Sequence, residues 1–262
     1  MTDSLYVERR GQGTDLVLVH GWAMHGGIWP ASLLHALEQN FRLHIVDLPG
    51  HGHSAALAEG FTLASVTGAL SRYADTHLHG PACWLGWSLG GMLAANLAAL
   101  HPHRLDKLVL VSSSLRFCKA EDWPYAMEAD VLTLFAAQLR KDYRSTLSRF
   151  LALQFKGDAH AREGLRALRE QLFARGEADI TGLNEGLKIL LNDDLRGQAG
   201  RISCPVQLIG GEYDSLTPAA ALQRIAGEFA QAQVAIIKGA GHAPFISHAE
   251  SFQQLLTGFL YA

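Results

Sequence analysis

The chain has 262 residues, 48% hydrophobic and 18% charged, with a formal net charge of −3 and three cysteines. That length and apolar content suit a folded core with room for an insertion and exclude a disordered chain. The mild negative balance excludes a nucleic-acid-binding surface spread over the molecule, and no apolar run approaches the ~18 residues of a membrane span.

Met1–Tyr6 carries neither the basic nor the apolar region of a signal peptide, so a cytoplasmic protein off the membrane is expected. Cys83, Cys118 and Cys204 are odd in number and widely spaced, which predicts reduced, buried thiols rather than a disulfide framework or zinc site. The close pairs His51/His53 and His101/His103 lack a neighbouring carboxylate or cysteine at ligand spacing. No metal and no cofactor are therefore expected.

In chain order, Tyr6–Arg9 reads as an edge strand and Leu16–Val19 as the first buried one. Helix over Pro30–Glu38 leads to strand Leu43–Val46, and helix over Thr62–Thr76 leads to strand Cys83–Leu85. Helix over Gly91–Leu100 precedes strand Leu108–Val111. After a gap come strand Val206–Ile209, helix Ala219–Phe229, strand Val234–Ile237 and helix Ala249–Leu260. Continuous apolar strands alternating with helices predict a mostly parallel, doubly wound α/β sheet buried on both faces.

The alternation stops between Ser113 and Asp194, where helical patterns over Val131–Phe155 and Ala159–Phe173 replace strands. This predicts core residues 1–112 and 195–262 separated by a helical lid over 113–194, above the C-terminal edge of the sheet. Within the lid, Arg140 to Arg175 holds nine bases against four acids, in a chain that is acidic overall. Arg162, Arg166 and Arg169 fall at i, i+4 and i+7 on one helix face. Such a face is either an ordinary solvated surface or a docking surface for an acidic partner.

The chemistry centres on Gly86-Trp87-Ser88-Leu89-Gly90, which follows a strand and opens a helix. This G-x-S-x-G context fits a nucleophile elbow, with Ser88 presented at the sheet edge and the Leu89 amide facing a developing oxyanion. Serine needs a base, and the base needs an orienting acid. In the α/β-hydrolase order, acid and then base follow the serine. Asp214, in the loop after Val206–Ile209, and His242, in Gly239-Ala240-Gly241-His242, have that order. Glu212 is a rival acid nearer the strand end, Asp193 and Asp194 are weaker rivals on the insertion, and His248 is a rival base at a helix start. The second oxyanion donor is placed at Trp22, in His20-Gly21-Trp22 after the first buried strand. The loop Asp47-Leu48-Pro49-Gly50-His51-Gly52-His53-Ser54 reads as structural.

His20-Gly21-Trp22, Gly86-Trp87-Ser88-Leu89-Gly90-Gly91, Gly241-His242-Ala243-Pro244-Phe245-Ile246-Ser247-His248 and Arg149-Phe150-Leu151-Ala152-Leu153-Gln154 together resemble one α/β-hydrolase family. It is the pimeloyl-[acyl-carrier protein] methyl ester carboxylesterases of biotin synthesis, and the similarity extends over nearly the whole chain. The resemblance implies a carrier-borne methyl ester as substrate and Ser88, Asp214 and His242 as triad. It also implies acyl-chain contacts from Trp22, Leu89 and Phe150, Leu151, Ala152, Leu153 and Gln154. Acyl carrier protein would be held by Arg149, Arg162 and Arg166. A further family arginine falls near Ser145, with Arg144 beside it. A monomer acting on carrier-bound substrate, with small esters as side substrates, is the resulting expectation. A broad carboxylesterase, a carbon–carbon bond hydrolase of the same fold and a non-catalytic ligand-binding module are the alternatives.

Overall fold

Among the described residues, seven strands form one sheet in the order β1-β3-β2-β4-β5-β6-β7. They are β1 (Val7–Arg10), β2 (Thr14–Val19), β3 (Phe41–Val46), β4 (Ala82–Trp87), β5 (Leu105–Val111), β6 (Val206–Gly211) and β7 (Ala232–Ile237). The computed structural model describes residues 5–158 and 160–262. Met1–Ser4 and Ala159, where the second inserted helix was expected to begin, lie outside the described residues. All neighbouring pairs are parallel except β1 with β3, the antiparallel edge foreseen from Tyr6–Arg9.

Burial explains the apolar runs. Leu16, Val17, Leu18 and Val19 are fully buried, as are Trp84, Leu85 and Leu108–Val111. Helices cover both faces of the sheet, so no alternation of apolar and polar residues is needed. The covering helices include α1 (Ala31–Leu37), α2 (Leu63–His77) and α3 (Leu89–Leu100). Thr62 caps α2 by accepting from the Ser65 amide, while the Ser65 side chain returns the bond to the Thr62 amide.

Among the described residues four α-helices lie between β5 and β6: α4 (Ala129–Leu139), α5 (Tyr143–Gln154), α6 (Ala161–Leu172) and α7 (Ile180–Asn192). The single helix expected over Val131–Phe155 is two, because Asp142 accepts from the Ser145 amide at 3.1 Å and starts α5 afresh. After β6 come α8 (Ala219–Ala226), then β7, the short α9 (Pro244–Ser247) and α10 (Ala249–Leu260).

The inserted helices are tethered to the sheet side by polar bonds. Trp22 Nε1 donates to the Leu183 carbonyl of α7 at 2.8 Å. Arg175, just past α6, reaches both buried Asp47 and Glu8 at 3.0 Å. His25 Nδ1 accepts from the Gly27 amide, so its Nε2–H donates to the Gln171 carbonyl at 2.7 Å.

Candidate active site

Parallel strands send their C-terminal ends to one edge, so the loops after β2, β4, β6 and β7 converge there. The residue after β4 is Ser88, with φ 54° and ψ −121°, a left-handed conformation that costs of order 1–3 kcal/mol in a residue with a Cβ. Hydrogen bonds to its amide and carbonyl hold it. The Ser88 amide donates to the Val111 carbonyl at 2.9 Å, and the Ser88 carbonyl accepts from the Gly91 amide at 3.0 Å and from Ser113 Oγ at 2.7 Å. The glycines on either side are steric necessities. A Cβ on Gly86 would collide with the backbone of Gly90 and Gly91, and one on Gly90 with the carbonyls of Val19 and His20.

Asp214 and His242, 28 residues apart, meet: His242 Nδ1 lies 3.0 and 2.9 Å from the two Asp214 oxygens. The carboxylate is itself fixed, since Oδ1 accepts from the Leu216 and Thr217 amides at 2.9 and 2.8 Å. An ionised carboxylate only accepts, so Nδ1 carries the proton and Nε2 the lone pair. That Nε2 is buried and has no hydrogen-bond partner among the described residues, Ser88 Oγ included. Bonds between base and nucleophile in unliganded sites are often long and tighten with substrate. Trp87, next to Ser88 in the chain, donates from Nε1 to the His242 carbonyl at 2.9 Å, and the two rings lie 5.7 Å apart.

The rival residues are engaged elsewhere. Glu212 accepts from the Gly239 amide at 2.9 Å on an exposed turn. Asp193 ends α7, and Asp194 pairs with Arg116 and Arg196 at 2.6 and 2.7 Å. His248 contacts Ser247 Oγ at 2.9 Å.

The loop after β2 is held by a histidine whose tautomer is also readable. His20 Nε2 accepts from the Leu48 amide at 2.9 Å, so its Nδ1–H donates to the Gly21 carbonyl at 2.8 Å. Fixing that carbonyl fixes the peptide plane, and the Trp22 N–H points the opposite way. Neither the Trp22 nor the Leu89 amide donates a hydrogen bond within the described residues. A Cβ at Gly21 would press on both Ser88 and the Trp87 ring, which brings this loop against the elbow. Burial, followed by the charge of His51, pushes the pKa of His20 down to about 3. His20 is therefore a neutral strut at ordinary pH.

Of the segment expected to contact an acyl chain, Phe150, Leu151 and Gln154 are buried, Leu153 is half-buried and Ala152 is exposed. Phe150 packs edge-on against Trp22 with centroids 4.7 Å apart. The Gln154 carbonyl accepts the His242 amide at 2.8 Å, and Asp158 accepts the Gly241 amide at 2.7 Å. Nothing local in the sequence signals these bonds, nor that of Ser113 to Ser88.

Arg149, Arg162 and Arg166 are exposed. Arg149 donates to Gln138 at 3.1 Å, and Arg166 sits 3.5 Å from Glu170. Arg144 is spent on its own surroundings, pairing with Glu177 and lying 4.6 Å over the Phe173 ring. The three cysteines are buried and free, and burial pushes the Cys83 thiol up to about 12 and those of Cys118 and Cys204 to about 11. In the loop after β3, Asp47 accepts from the Gly26 and His53 amides at 2.6 and 2.8 Å, the structural part expected of it.

The sequence profile of the alpha/beta hydrolase fold matches residues 15–249. A pimeloyl-[acyl-carrier protein] methyl ester esterase of Xanthomonas campestris pv. campestris is 41% identical over 258 residues, covering 98% of this chain and 99% of the relative. A protein of the same name in Stenotrophomonas maltophilia is 42% identical over 258 residues, covering 98% and 97%. Among solved structures, an esterase from Exiguobacterium antarcticum superposes with a TM-score of 0.90 at 22% identity, over 98% of this chain and 96% of that one. A bromoperoxidase from Bacillus anthracis gives 0.92 at 23% identity, over 98% and 95%. At such identities the superpositions speak for the fold alone, whereas the two sequence relatives speak for the family. The chain belongs to the alpha/beta hydrolase fold family and, within it, to the family of its esterase relatives.

Proposed function

We propose that this protein is a serine esterase that cleaves the methyl ester of a pimeloyl group borne on acyl carrier protein, releasing methanol and the carrier-bound free acid for biotin synthesis. The observation that carries the chemistry is His242, whose Nδ1 is committed to Asp214 and whose buried Nε2 is left with a lone pair and no partner among the described residues. The relatives' name supports the substrate.

Ser88, Asp214 and His242 act as the triad. His242 Nε2 takes the Ser88 proton as Oγ attacks the ester carbonyl. The Leu89 and Trp22 amides receive the oxyanion, each donor worth about 10²–10³ in rate in comparable sites. Asp214 holds the tautomer and stabilises the imidazolium. His242 returns the proton to the departing methoxide, and water then opens the acyl-enzyme by the same route. The steps use only this chain's side chains and amides, and no cofactor is invoked.

Residues 113–194 form a lid between the core segments 1–112 and 195–262. Trp22, Leu89 and Phe150, Leu151, Ala152, Leu153 and Gln154 contact the acyl chain, Ala152 being the exposed member of the set. Arg149, Arg162 and Arg166 dock the acidic carrier, and Arg144, already paired with Glu177, contributes less. The protein works as a cytoplasmic monomer. No helix among the described residues is long and apolar enough to cross a membrane.

The test compares kcat/KM on carrier-linked pimeloyl methyl ester and on a short free ester. Ser88→Ala should cost about 10⁶ in kcat on both substrates. Reversing Arg149, Arg162 and Arg166 to Glu should lower the carrier-linked rate by about tenfold or more, through slower encounter, and spare the free ester. Unchanged turnover by Ser88→Ala would overturn the triad. An equal fall on both substrates in the reversal variant would overturn the docking role.

A further inference from the structure

We propose that Asp158, His160 and His248 form a binding site for a divalent first-row transition metal, zinc foremost, tying the inserted helices to the loop that carries His242. Asp158 and His160 lie two residues apart and His248 far along the chain, yet one ligand atom from each lies within 4.8 Å of the other two. His160 stands at the residue before α6 and His248 at the residue before α10, neither side chain bonding the helix amides, and their rings meet edge-on at 4.9 Å.

The donor set is prepared in three ways. Asp158 is buried and held by two amides, Oδ1 accepting from His160 and Oδ2 from Gly241, each at 2.7 Å. Two carboxylate oxygens offer about four lone pairs, so two remain. His248 Nδ1 lies 2.9 Å from Ser247 Oγ. With Nδ1–H donating to that hydroxyl, Nε2 keeps its lone pair, which is how outer-shell partners ready an imidazole for a metal. His160 is exposed, so it gives solvent access and can turn to draw the set toward the ~3.4 Å ligand spacing that zinc bond lengths of about 2 Å require.

Two imidazoles and one carboxylate suit zinc and its first-row neighbours rather than magnesium or calcium, which prefer all-oxygen sets. The N-termini of α6 and α10 oppose a cation, and the Asp158 charge offsets them. A bound ion would stiffen the base loop, because Asp158 already holds Gly241 while Gln154 holds the His242 amide.

The test is calorimetric titration of zinc into chelator-treated protein at pH 7.5. Wild type should bind about one equivalent. Exposed His160→Ala should weaken binding by more than the about tenfold that losing even an outer-shell partner costs. A His101→Ala/His103→Ala variant, altering a histidine pair elsewhere in the chain, should bind as wild type does. Zinc binding by His160→Ala as tight as by wild type would overturn the site, as would loss of binding in the His101/His103 variant.

Discussion

Asp214→Asn isolates the tautomer argument from packing, because the two side chains have nearly the same shape. The structure decides how the amide must sit. Asp214 Oδ1 accepts from the Leu216 and Thr217 amides, so the asparagine must keep its carbonyl there. Its NH₂ then replaces Oδ2, the oxygen 2.9 Å from His242 Nδ1. The amide donor 2.9 Å from Nδ1 competes with the carbonyl kept at 3.0 Å and favours the tautomer with the imidazole proton on Nε2, which cannot serve as a base toward Ser88. In enzymes with this constellation the substitution costs about 10⁴ in kcat, equivalent to roughly 5 kcal/mol of barrier. Steady-state hydrolysis of a short free ester at pH 7.5, with circular dichroism to confirm the fold, measures it. A kcat within tenfold of wild type would refute the assignment of the proton to Nδ1 by Asp214.

Acid should destabilise the protein in a defined window. Buried His20 has its pKa lowered from 6.5 to about 3, and burial lowers those of His25 and His51 as well. A depressed folded-state value means the unfolded chain binds more protons, so stability is full above about 6.5 and is lost as pH falls toward 3. His20 alone should cost about 2 kcal/mol at pH 5; urea melts giving equal stability at pH 7.5 and 5 would contradict this. At the elbow, Gly90→Ala puts a methyl into the backbone of β2, which cannot yield without breaking the sheet. A loss of several kcal/mol or failure to fold is expected, and a melting temperature equal to wild type would show that the close approach is not obligatory.

Much of the architecture was legible because it rests on short-range physics. Leu16–Val19 and Leu108–Val111 are uninterrupted apolar runs, and only a strand covered on both faces can bury every residue. The elbow was legible because steric crowding around Ser88 admits glycine alone at two flanking positions. The break at Asp142 was not, since the periodicity of Val131–Phe155 runs through it and a capping side chain overrides it locally. Arg149 matches a family arginine in the sequence, while Arg144 stands beside the position of another, at Ser145. The pairing of Arg144 with Glu177, 33 residues away, separates them.

The sequence by itself determined the fold class, the serine on its turn and the order in which an acid and a histidine follow it. These depend on periodicity, backbone sterics and chain order, all of which are written locally. Only the tertiary structure decided that His242 is protonated on Nδ1, that His20 aims the Trp22 amide, and that Gln154 and Asp158 grip the histidine loop. Each is a hydrogen bond between residues or backbone groups far apart in the chain, or the consequence of one. Most backbone amides and carbonyls are alike along the chain, so the residue pattern does not announce which of them a distant side chain will meet, and chain order names Asp214 and His242 without giving the geometry between them.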